Sequence, residues 1–132
     1  MQFAGLNYIA VLFAAIAGFG FGALWYTVLG KAWMDAIGMV EHPKPSPAPF
    51  IFAAICQLVI AWVLAGVIGH LGEVTVSRSV ISALFVWAGF IAATMIVNHR
   101  FQGAPWKLTF IDAGHWLGVL LVMGLVIGLF GV

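Results

Sequence analysis

Polar residues are scarce along four stretches of this chain, 6–29, 50–69, 80–97 and 110–130, and crowd into the segments between them. None of the four alternates apolar and polar at every second residue, as a half-buried strand would. Each approaches or exceeds the roughly 20 helical residues that cross a ~30 Å hydrocarbon layer. A segment in lipid must satisfy its own backbone, so the pattern predicts four helices. The expected fold is all-α: a four-transmembrane-helix bundle in a single domain, 1–132. The first stretch is not expected to be a removable signal peptide, because nothing basic precedes it and it is too long for a signal core.

The segments between the runs differ in character. "GKAWMDAIGM" in the loop 30–49 sets Trp33, Met34 and Ile37 on one helical face, which predicts a short helix lying in the interface. "HPKPSPAP" follows, with proline at 43, 45, 47 and 49, and reads as an extended strap into the second crossing. The loop 98–109 is a short hairpin.

Composition strengthens the membrane reading. The chain is 64% hydrophobic and 7% charged, where a soluble domain carries about 25% charge. The bilayer is therefore an expected partner. A net charge of +1 gives no ground for a nucleic-acid partner. Cys56 is the one cysteine, so a disulfide framework within the chain is excluded. Lys31, Lys44, Arg100 and Lys107 fall in the loops 30–49 and 98–109, against Arg78 alone on the other side. That bias predicts two cytoplasmic loops and both termini outside.

Glycine is frequent where it is costly. A mid-helix glycine costs about 1 kcal/mol relative to alanine and calls for a packing reason. Gly18 and Gly22 share a face of the first helix with Asn7, Ala14 and Trp25. Gly114, Gly118, Gly124 and Gly128 form a stripe about 120° wide on the fourth. Such stripes let membrane helices approach closely, within a bundle or between subunits, and a homo-oligomer is expected. Opposite the fourth-helix stripe stand Asp112 and His115, about 60° apart.

Those two residues anchor a candidate polar cluster. Asn98 shares a face with Trp87 and Thr94, Gln57 lies about 10 Å into the second helix, and Tyr26 closes the first. With His99, these groups put polarity in the cytoplasmic half, while the outer half is nearly featureless. Lys31, Trp33, Arg100 and Lys107 belong to the interface. For Asp112 the sequence leaves open a structural ion pair with Lys31, Arg100, Lys107 or His115, and a proton- or cation-handling pair with His115. A metal site would need His99 to join them, and an i,i+3 pair is not a zinc signature, so no metal or other cofactor is expected. No nucleophile elbow, phosphate loop or membrane carboxylate pair is present, which points away from an enzyme.

Three motifs taken together, "GALWYTVLGKAW" at 22–33, "NHRFQG" at 98–103 and "FIDAGHW" at 110–116, resemble those of a family of small bacterial four-helix membrane proteins, domain-of-unknown-function family seventeen sixty-one. The resemblance covers nearly the whole chain. It implies a four-helix fold and a bacterial inner membrane, and brings no activity, cofactor or ligand with it. Where the family's pattern has asparagine near the start of the last helix and tyrosine before a histidine, this chain has Asp112 and Gly114. A faint internal echo, "GKAWMDAIG" against "GAPWKLTFIDAG", is compatible with a parallel repeat and equally with chance.

Two functional classes fit these observations. One is an oligomeric ion or small-solute conduit or carrier with its polar site in the cytoplasmic half. The other is a non-transporting scaffold that docks a membrane protein or lipid.

Overall fold

The computed structural model describes Phe3 and residues 5–132. Four helices are long and apolar enough to cross a membrane: Tyr8–Ile37, Ala48–His70, Val76–Phe101 and Trp106–Phe130. The described residues contain no strand. The helices are called first to fourth below.

Local chemistry sets their ends. Asn7 caps the first helix, its side-chain oxygen accepting from the Ala10 N–H at 3.1 Å, which satisfies one otherwise orphaned donor. Gly38 ends that helix in the left-handed conformation, φ 74°, and its N–H reaches back to Asp35. Glycine adopts this geometry without a Cβ penalty. The second helix starts at Ala48, two residues inside the proline tract, with Pro49 in its first turn. Proline is tolerated there because the first-turn N–H groups have no helical partner. Thr75 caps the third helix through the Arg78 N–H.

Two features differ from the sequence reading. The interfacial segment at 31–37 is not a separate short helix; it continues the first helix without a break to Ile37. Nothing between Leu29 and Ile37 breaks a helix, so it runs for 30 residues, about 45 Å by helical rise. The third helix contains a π-helical turn over Trp87–Ala92. A π turn accommodates one extra residue, and so turns every later side chain by about 100° relative to an unbroken α-helix.

The fourth helix is the centre of the bundle, packing most extensively on the first and third; the second leans chiefly on the first. Successive contacts from Phe13 against Phe130, through Gly18 against Met123, to Trp25 against Ile111 show that the first and fourth helices are antiparallel. Leu120, Met123, Ile127 and Val119 are the large side chains at the heart of the core, met by Ala10, Ala14, Ala61 and Ala65. Leu24, Phe52, Phe85, Phe90 and Leu129 are among the many large apolar side chains facing outward. In water that surface would be a liability, and in a bilayer it is the expected lipid-facing coat.

Candidate functional site

Glycines decide which helices touch. The fourth-helix stripe serves two neighbours. A Cβ at Gly114 would lie 2.9 Å from the Trp25 ring, and one at Gly118 would collide with Phe21, so this half of the stripe receives aromatic side chains of the first helix. A Cβ at Gly124 would meet the Ser79 carbonyl oxygen at 2.8 Å, and one at Gly128 the Val76 Cα at 2.6 Å, so the other half receives the backbone of the third helix. On the first helix, Gly18 faces Gln57, Val119 and Met123, and Gly22 faces His115.

His115 therefore does not stand on a separate polar face. It is buried in the seam between the first and fourth helices, with Nε2 2.7 Å from the position a Gly22 Cβ would take. Gly22 of the first helix leaves room there, and angular arithmetic on the fourth helix alone could not reveal it. Its ring lies 4.8 Å from that of Tyr26 and 4.7 Å from that of Trp116, between centroids.

Asp112 finds a hydroxyl. The Tyr26 O–H donates to its Oδ1 at 2.7 Å. Among the described residues the one ion pair is Arg78 with Glu73, both exposed, so none of the basic partners considered for Asp112 reaches it. Two indoles hold the backbone on either side: Trp25 Nε1 donates to the Ile111 carbonyl at 3.0 Å, and Trp87 Nε1 to the Ala113 carbonyl at 2.9 Å. Buried indole N–H groups need an acceptor, and in lipid water does not supply one.

The candidate cluster divides in two. Tyr26, Gln57 and His115 line one cavity of about 580 Å³ between the first, second and fourth helices. Tyr26 and Asp112 line an adjoining groove of about 790 Å³ that also takes in Lys31 and Trp33. Asn98 and His99 are elsewhere. Asn98 is exposed in a shallow recess of the third helix with Thr94 and Gln102. His99 Nδ1 is 2.9 Å from the Thr109 hydroxyl, which also accepts from Arg100 at 2.7 Å.

The π turn is the reason. In an unbroken α-helix Trp87 and Asn98 would share a face; the extra residue moves Asn98 aside by about 100° and brings His99 into line with Trp87. Arg100 also lies over the Trp106 ring, 3.7 Å from its centroid, so its apolar face is covered at the helix end. Lys107 is exposed. Among the described residues no three His, Cys, Asp or Glu side chains come together to hold a metal ion.

Residues that the sequence did not single out complete the picture. Thr109 is buried and joins the third and fourth helices; its position one turn before Asp112 was the available signal. Trp116 lines both cavities.

This arrangement spans the region covered by a known family. Residues 9–128 match the family described as a protein of unknown function, DUF1761. The chain belongs to that family. No curated protein and no solved structure matches it. The DUF1761 match takes in both halves of the divided cluster and all four membrane-capable helices.

Proposed function

We propose that this chain is a non-catalytic carrier of a small solute or ion in a bacterial inner membrane, with a polar site open to the cytoplasmic side. The observation that carries the reading is the convergence of Tyr26, Gln57, Asp112 and His115, from three helices, on two adjoining cavities that share Tyr26, Thr27, Pro49, Phe50 and Trp116. Beyond His115 the bundle is shut by Val119, Leu120 and Met123. A polar site whose path along the bundle axis is closed suits a carrier better than an open pore. The excess of basic residues in the 30–49 and 98–109 loops supports a cytoplasmic open end.

Self-association is part of the proposal. On the third helix only Ser79, Ala83 and Ala92 are buried, leaving a broad face for lipid or a second copy. The glycines Gly18, Gly22, Gly114, Gly118, Gly124 and Gly128 are occupied inside the chain, so they weigh against the scaffold reading, which would use them between proteins.

Proton flux under a potassium diffusion potential, in dye-loaded proteoliposomes, tests the carrier. The wild type is expected to exceed empty vesicles, and Asp112→Asn and His115→Ala to fall by about tenfold or more, the scale expected when an intramembrane proton-handling group is removed. Flux equal to that of empty vesicles in every sample removes it.

A further inference from the structure

The seam between the first and second helices holds three recesses in sequence. The one farthest from the 30–49 loop, about 280 Å³, is an open recess lined by Leu12, Ile16, Phe19, Leu58 and Gln57, with Leu12, Ile16 and Leu58 exposed. The middle one, about 580 Å³, shares Phe19 and Gln57 with it and adds Tyr26, Cys56, His115 and Trp116. The one nearest that loop, about 790 Å³, shares Tyr26 and Trp116 with the middle one and is the first to include charged side chains, Lys31 and Asp112. Polarity rises in one direction along the seam, as it does along a lipid from tail to head.

Two buried polar groups in this seam lack partners. Gln57 is 4% exposed and its Oε1 has no hydrogen bond; His115 is 6% exposed and its Nδ1 has none. Both side chains line the middle recess. They press on Gly18 and Gly22 of the first helix, one turn and about 6 Å apart along its axis. Buried polar atoms are nearly always satisfied, and an orphaned pair beside a cavity asks for a ligand that supplies what is missing. The amide and the imidazole can each turn about a side-chain bond to meet it, with no backbone movement.

We infer that this seam binds a single-chain amphiphile with an uncharged head that donates a hydrogen bond to Gln57 or His115. The chain lies along Leu12, Ile16 and Leu58, where no polar side chain other than Gln57 intrudes. The head is uncharged because the middle recess offers it no charged partner, and an unpaired charge there would bear the full cost of desolvation. It donates because Oε1 is an acceptor and Nδ1 can be one. Entry is sideways from the bilayer, since Phe50, Phe52 and Cys56, all exposed on the second helix, form the cavity's outer wall. The inference rests on the carrier reading for the site's role and names the class of molecule it takes.

The test uses the full chain in phosphatidylcholine nanodiscs, with 4-octylphenol, its methyl ether 4-octylanisole, and octylbenzene at equal mole fraction. Probe retained beyond that held by empty discs is counted per chain. Alkylation of Cys56, the one cysteine, by N-ethylmaleimide reports whether the retained probe sits in the seam. One octylphenol per chain is expected, held about fivefold more tightly than the ether, the scale of one net hydrogen bond, with alkylation slowed in step. Gln57→Leu should bring phenol and ether together; if that variant does not assemble, His115→Phe makes the same comparison. Equal retention of phenol and ether by the wild type overturns the inference, as does a phenol preference that neither substitution alters. Absent proton flux with the phenol preference intact removes carriage and leaves the site. Flux without the preference removes the amphiphile and leaves carriage.

Discussion

The Tyr26 hydroxyl and the Asp112 carboxylate form the one side-chain to side-chain hydrogen bond between the first and fourth helices among the described residues. Tyr26→Phe removes the donor and leaves the carboxylate without it, and should lower stability in a detergent unfolding titration by about 1 to 2 kcal/mol. Asp112→Asn keeps an oxygen that can accept the same hydroxyl, so its cost should be smaller. A reversed order would show that the carboxylate charge, not the hydrogen bond, sets the local energy. Periodicity was enough to see that Asp112 and His115 are neighbours on one helix. It could not show that tyrosine, rather than lysine or arginine, meets the carboxylate, because partner choice depends on the register between helices far apart in sequence. The burial of His115 was illegible for a related reason: the alcove that receives it is made by Gly22, on another helix.

At the scale of the helix, space and register carry the argument. A methyl added at Gly128 would strike the backbone of the third helix at Val76 and Thr75, and backbone yields less readily than a side chain. Gly128→Ala should cost about 1 to 3 kcal/mol, the range for overpacking, while Gly20→Ala, with open space around it, should be neutral or mildly stabilising. The same titration reads both. The π turn gives a second expectation. Deleting exposed Gly89 from within Trp87–Ala92 removes the extra residue, so His99 and Arg100 should stay on Thr109 and the protein should still fold. Deleting Val63 from the second helix turns Leu64, Ala65 and Ile68 away from the core by about 100°, and no folded protein should be recovered. Helix number and approximate limits were legible because long apolar runs leave little choice in lipid. The π turn was not, since nothing in "WAGFIA" distinguishes it from an ordinary helical turn, and that one turn separated Asn98 from the site it was expected to join.

For the whole molecule, topology is the property most directly open to test. In a Cys56→Ala background, Ser46→Cys lies in the strap between the first two helices and Val132→Cys at the opposite end of the bundle. The bias of basic residues toward the 30–49 and 98–109 loops predicts that a membrane-impermeant maleimide applied to spheroplasts labels Val132→Cys and spares Ser46→Cys; the reverse pattern would place the open cavities outside. The interior differs in how firmly its parts are joined. Trp25, Tyr26, Trp87, His99 and Arg100 all engage the fourth helix between Thr109 and Ala113, tying the first, third and fourth helices into one unit. Among the described residues the second helix makes no side-chain hydrogen bond to any of them. It is held by contacts such as Ala61, Leu64, Ala65 and Ile68, and tethered by the proline strap and the turn at Gly72. Displacing it breaks dispersion contacts that lipid tails can replace almost in kind, whereas displacing any other helix strands donors in hydrocarbon. The second helix is thus the leaf of a door whose frame is bolted together at residues 109–113.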